Sequence, residues 1–109
     1  MNSQSIQLSN QKKYDQPLQD YGVIAKEYLK EKYLIQYTTL LTEGTLMEYL
    51  HELQTEAINQ EMLLEEEMLQ ERSYPKTENP LVIEAHLKVI QSLAREQVIT
   101  DLQIQIDNL

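Results

Sequence analysis

Apolar side chains recur at intervals of three and four positions along most of the chain, the spacing that places them on one face of an α-helix. The first such run begins near Leu18 and predicts a helix that extends to about Lys32. Residues 33–43 lack a clear period, and their β-branched and aromatic side chains would also suit a strand. A lone strand has nothing to pair with, so we predict a second short helix after a kink.

A glycine and a threonine mark the start of a long third helix. Gly44 suits the left-handed position just past a helix end, and Thr45 with Glu48 forms a T-x-x-E capping box. The helix is predicted to run from there to about Arg72. Gln60 within its stripe is interpreted as an edge position facing water, although a buried polar residue also sets helix register in some bundles. The full stripe is Leu46, Leu50, Leu53, Ala57, Gln60 and Leu64.

The stretch SYPKTENP separates this helix from a last one. Asn79 followed by Pro80 is typical of an N-cap and a first helical position. Two long helices joined by a short loop are expected to pack antiparallel, with the N-terminal helices covering one side. We therefore predict an all-α small helical bundle, with residues 17–109 as a single domain after a polar, mostly disordered tail at residues 1–16. The apolar stripe of the last helix is Ile83, Leu87, Ile90, Ala94, Val98, Leu102 and Ile106.

Negative charge is concentrated on the third predicted helix. The chain has a net charge of −9, and the segment from Thr45 to Arg72 holds eight glutamates against a single arginine. A solubilising face is one explanation, but like charges four residues apart cost about 0.2–0.5 kcal/mol per pair, which favours a binding role. Such a surface repels phosphate and anionic lipid, so we expect a basic protein partner and no direct binding to nucleic acid or membrane. The candidate partner-binding residues are Glu48, Glu52, Glu56, Glu61, Glu65, Glu66, Glu67 and Glu71.

No constellation of catalytic or metal-binding residues is recognisable. The chain has no cysteine, no glycine-rich phosphate loop and no G-x-S-x-G motif. Glu48 and His51 have the E-x-x-H spacing of di-iron bundles, but His86 follows Glu84 at E-x-H and cannot supply the second pair. Thr55 likewise stands where a zinc protease has the second histidine of H-E-x-x-H. We predict a non-enzymatic protein with no catalytic residue, metal site or cofactor, and interpret both histidines as surface residues.

The tyrosines and the apolar residues outside the main stripes suit packing. Stacking on single-stranded nucleic acid would need a basic groove, and the lysines near Tyr21, Tyr28, Tyr33 and Tyr37 are offset by glutamates. The absence of cysteine, of an apolar leader and of any run of eighteen apolar residues favours a cytoplasmic protein. A possible homodimer would use the apolar residues outside the seam, which are Met47, Tyr49, Met62, Met68 and Leu69.

Three stretches of the chain resemble the TnpV family of small proteins encoded in transposons and related mobile elements of Firmicutes. They are YGVIAKEYLKEK at 21–32, YTTLLTEGTLMEYLHELQTEA at 37–57 and, more loosely, ENPLVIEAHLKVIQSLAREQVITDL at 78–102. The resemblance runs from residue 17 to residue 102 and implies a shared fold. It implies no chemical mechanism, and family members carry more lysine and arginine in the long central helix, where this chain has glutamates.

The resemblance and the charge together set the functional hypothesis. A mobile-element protein with a strongly acidic helix is similar, by class and not by motif, to the anti-CRISPR inhibitors of phages and mobile elements. We expect binding to a basic nucleic-acid-handling protein, with a CRISPR effector nuclease of the host as the leading target and inhibition as the outcome. The alternative is an accessory factor that supports transposition of its own element through the transposase.

Overall fold

The computed structural model describes residues 14–71 and 75–109, and it is all-α over both ranges. Its helices there are α1 (Asp20–Lys32), α2 (Leu34–Glu43), α3 (Leu46–Glu71) and α4 (Pro80–Asp107). The prediction of an all-α small helical bundle is confirmed, and the segment that would also have suited a strand forms α2. The tail predicted for residues 1–16 lies outside the described residues except for its last three positions.

The chain divides into two compact units, Met1–Thr55 and Glu56–Leu109, with the boundary inside α3. The first unit contains α1, α2 and the start of α3. The second contains the remainder of α3 and α4. The assignment of residues 17–109 to a single domain stays a prediction.

In the first unit, α1 buries one face. Tyr21, Ala25 and Leu29 recur every four residues and are no more than 2% exposed. Gly22 lies on the same face, where an added Cβ would clash with the side-chain oxygen of Gln54 in α3. That oxygen accepts a hydrogen bond from the Gln19 N–H at 2.7 Å. The start of α3 therefore supplies the cap for the first turn of α1, which has no side-chain cap of its own.

Single residues separate α1 from α2 and mark the end of α2. Tyr33, with φ −133° and ψ 57°, lies between the two helices, and its ring meets the Tyr28 ring edge-on with centroids 6.3 Å apart. α2 ends at Gly44, whose φ of +76° is the left-handed conformation predicted for it. α3 begins two residues later, as expected. The side-chain hydrogen bonds of a Thr45–Glu48 capping box stay a prediction.

In the second unit, α4 starts where the Asn-Pro pair predicted. The Asn79 side chain accepts a hydrogen bond from the Leu81 N–H at 3.0 Å, with Pro80 as the first helical residue. The second part of α3 and α4 pack antiparallel, since Gln60 donates to Asp101 and Met68 shares a groove with Leu93 earlier in α4. Five of the seven residues of the predicted stripe are buried, namely Ile90, Ala94, Val98, Leu102 and Ile106.

Candidate partner-binding surface on the third helix

The structure places most of the candidate glutamates of α3 in solvent. Glu61 and Glu65 are half-buried. Exposed carboxylates keep their hydration, so they are free to meet a partner without first leaving another contact. The exposed members are Glu48, Glu52, Glu56, Glu66, Glu67 and Glu71.

The glutamates do not form one straight stripe. In the first unit Glu48 and Glu52 lie one turn apart on the same side of the helix. In the second unit, a turn of about 100° per residue puts Glu61 and Glu65 about 40° apart, but rotates Glu61 about 140° away from Glu56. Negative charge therefore covers more than one side of α3.

None of these eight carboxylates is neutralised within residues 14–71 and 75–109. No lysine or arginine in those ranges lies within 4.0 Å of them. The ion pair between Lys88 and Glu84, at 3.1 Å, lies on α4 and joins two exposed side chains. None of these glutamates is therefore held in a direct ion pair with a described residue, and solvent and dissolved salt screen their charge.

Two of the α3 glutamates, Glu61 and Glu65, interact with each other. Burial raises the pKa of the Glu65 carboxyl above its usual 4.5, and the charge of Glu61 and a hydrogen bond between the two side chains raise it further. The two residues are four positions apart, the spacing at which like charges repel on a helix. Repulsion between the two carboxylates therefore adds to the effect of burial on the Glu65 pKa.

The interpretation of His51 as a surface residue is wrong. Its side chain is only 9% exposed, and its Nε2 lies 2.7 Å from the backbone carbonyl oxygen of Gln16. Because a carbonyl only accepts, Nε2 must carry the proton and donate. The Tyr14 ring lies 6.3 Å away. His51 therefore ties the segment before α1 to α3, a role that its sequence neighbours gave no means to foresee.

The possible metal ligands, the tyrosines and Gln60 were the other candidates from the sequence. Over the described part of the chain, no three His, Asp or Glu side chains are close enough together to hold a metal ion. Tyr21 is buried, in keeping with core packing. Gln60 sits half-buried at the edge of the seam and donates to Asp101, which also accepts from Gln97 at 3.0 Å. Gln60 thus joins α3 to α4 by a hydrogen bond, and the choice between a water-facing edge position and a register-setting residue stays a prediction.

The apolar ridge expected outside the seam is mostly covered. Met62 is 65% exposed, whereas Met47, Tyr49, Met68 and Leu69 are half-buried. Homodimerisation through these residues stays a prediction. Sequence analysis instead missed the exposed face of α2, although its absence of charge from residue 33 to residue 42 is visible in the sequence.

The described helices give no membrane-spanning candidate, because none combines sufficient length with sufficient apolar character. The fold and the acidic helix define a class of small all-α protein. Among the described residues, no lysine or arginine forms an ion pair with the glutamates of its most acidic helix.

The chain belongs to the TnpV family. The family model, described as "Transposon-encoded protein TnpV", matches residues 3–103, nearly the whole chain. The chain is thus a transposon-associated protein, as its resemblance to the family implied. Neither the curated proteins nor the solved structures contain a significant match.

Proposed function

We propose that this protein is a non-enzymatic binding protein of a mobile element that docks the glutamates of α3 on the basic, nucleic-acid-binding surface of another protein. The observation that carries the proposal is the set of eight α3 carboxylates, six of them exposed, that have no lysine or arginine partner in the described ranges. Membership of a transposon-encoded family supplies the setting. Proteins that cut or move DNA bind its phosphates with lysine and arginine, which an acidic helix attracts.

The charge density favours docking over imitation of duplex DNA. The 26 residues of α3 extend about 39 Å at 1.5 Å per residue. Eight carboxylates over that length give one charge per roughly 5 Å, whereas duplex DNA carries one per ~1.7 Å. The helix is therefore about threefold too dilute to replace a duplex. It has enough charge to cover one part of a DNA-binding groove.

Two partners fit this chemistry. The first is a CRISPR effector nuclease of the host, which would be inhibited when α3 occupies its DNA-binding surface. The second is the transposase of the element itself, for which the protein would act as an accessory factor. The family description favours the transposase, since it describes the family as encoded by a transposon.

The test measures binding of the purified chain to each partner at increasing salt. We expect the affinity to fall steeply between low and physiological salt, where the screening length shortens to about 8 Å. A variant carrying Glu48→Lys, Glu52→Lys and Glu56→Lys should lose most of the association rate, because charge steering acts on encounter. Duplex DNA should compete with the wild-type chain for the partner. Salt-independent binding, or binding that the triple variant retains in full, would contradict the proposal.

A further inference from the structure

The most apolar exposed surface in the first unit is the face of α2 that points away from α1. No residue of α2 is buried. Ile35 is 80% exposed, and Leu34 and Leu41, which lie about 100° and 120° from it toward one side of the helix, are 58% and 57% exposed. Tyr37 and Leu40 of α2 and the preceding Tyr33 are half-buried, and they show which side of the helix is packed. A helix of ten residues is marginal in water unless one face packs.

Desolvation of this face leaves the hydrogen bonds of two of its threonine hydroxyls intact. Thr39 donates its hydroxyl to the Ile35 carbonyl, and Thr42 donates to the Thr38 carbonyl, each at 2.8 Å. Both hydroxyls are therefore satisfied within the helix, and their methyl groups add to the apolar surface. An open groove of about 490 Å³ lies on this face and is bordered by Leu34, Ile35, Thr38, Thr39, Thr42 and, at its end, Glu43. A second apolar helix can pack there without leaving these two hydroxyls unsatisfied.

We propose that α2 pairs with α2 of a second copy of this chain, in an antiparallel arrangement about a two-fold axis near Thr38. The distribution of charge along the chain favours a second copy of this chain as the partner of α2. Each chain carries −9, so two copies repel wherever their acidic surfaces meet. Residues 33–42 hold no charge at all, and α2 is therefore a surface on which two such chains can touch without opposing carboxylates.

Size complementarity sets the direction. In an antiparallel pair with the two-fold axis between Thr38 and Thr39, the large Ile35 side chain of one copy faces the small Thr42 of the other, and the reverse contact follows from symmetry. A parallel pair would place Ile35 against Ile35 and leave a gap between the threonines. Antiparallel pairing also brings Glu43, the single charge of α2, to the N-terminal end of the other α2, where the helix dipole favours an anion.

The contact is small, so the dimer is weak. α2 is only about 15 Å long, and its face falls well short of the roughly 800 Å² per partner of a stable complex. The full-length chain should be monomeric at low micromolar concentration and dimeric near about 1 mM. This inference does not depend on the proposed function, because none of the α3 glutamates takes part in it.

Sedimentation equilibrium on the full chain tests the surface. The average mass should rise from 12.8 kDa toward twice that value as concentration increases. Ile35→Ser should weaken association at least tenfold with an unchanged circular dichroism spectrum. The matched control Leu81→Ser removes an equally exposed leucine, 73% exposed at the start of α4, and should leave association unchanged. A wild-type chain that stays monomeric at 1 mM, or equal losses in both variants, would overturn the proposal.

Cross-linking tests the direction, since the native chain has no cysteine. Thr38→Cys chains should form disulfide-linked dimers with themselves under mild oxidation. A mixture of Ile35→Cys and Thr42→Cys chains should yield mainly the mixed dimer. Mainly self-linked Ile35→Cys dimers would show parallel pairing and contradict the arrangement.

Discussion

α1 and α2 follow each other in the chain but differ in how much they bury. α1 carries six charged residues yet buries Tyr21, Gly22, Ala25 and Leu29. α2 carries one charged residue and buries none. The difference lies in packing, because Tyr21, Ala25 and Leu29 recur every four residues on the packed face of α1, whereas Leu34, Ile35 and Leu41 of α2 lie in solvent. Total apolar content therefore does not determine which helix joins the core.

The largest expected effect separates a buried from an exposed leucine. Leu29→Ala removes a side chain with no exposed surface, and should lower the free energy of unfolding by about 2–5 kcal/mol. Leu41→Ala, at 57% exposure on α2, should lower it by less than about 1 kcal/mol. Urea denaturation of both variants measures the difference. Similar losses would mean that α2 packs as tightly as α1 in solution.

A smaller effect concerns the glycine of α1. In Gly22→Ala the new methyl group displaces the Gln54 side chain and breaks its bond to the Gln19 N–H. Crowding of about 1–3 kcal/mol outweighs a helix-propensity gain of about 1 kcal/mol, so the variant should be destabilised by about 1 kcal/mol. In a Gln54→Ala background the remaining close contact is with a Leu18 methyl group at 2.9 Å, which a small shift of that side chain relieves, and the same change should become stabilising.

Gly44 provides the matched control for that reversal of sign. Nothing lies within 4 Å of a Cβ at Gly44, but its φ is +76°. Gly44→Ala should therefore cost about 1–2 kcal/mol through backbone strain alone, and Gln54→Ala should not alter that cost. Thermal denaturation of the single and double variants gives the coupling. A Gly22→Ala effect independent of Gln54 would refute the close contact.

The smallest effect extends the comparison to a half-buried and an exposed glutamate of α3. Because the folded chain binds the Glu65 proton more tightly than the unfolded chain, stability should increase as pH falls from 7 through the raised pKa toward 4.5. Glu65→Gln should raise the free energy of unfolding at pH 7 by about 0.2–0.5 kcal/mol and remove part of this pH dependence. Glu66→Gln removes the same charge from an exposed position and serves as the control. Identical pH profiles for both variants would count against the coupled pair.

The sequence rules for helix ends predicted where two of the helices begin or end. Gly44 at the end of α2 and Asn79 before α4 follow from the conformations and hydrogen bonds that helix ends require. The burial of His51 was not predictable, because it depends on a carbonyl 35 residues away at Gln16. The positions of the α3 glutamates around the helix follow from sequence, but the half-burial of Glu61 and Glu65 depends on packing.

Charge reversal on α3 tests whether its glutamates bind a basic surface. The association rate with a nuclease or transposase partner would be measured for the wild type, for the Glu48→Lys, Glu52→Lys and Glu56→Lys variant, and for a control carrying Glu27→Lys, Glu78→Lys and Glu96→Lys. Both variants change the net charge equally, and all six positions are exposed. The account predicts a large loss of rate for the α3 variant and a small loss for the control. Equal losses would show that only net charge matters and would contradict a binding surface on α3.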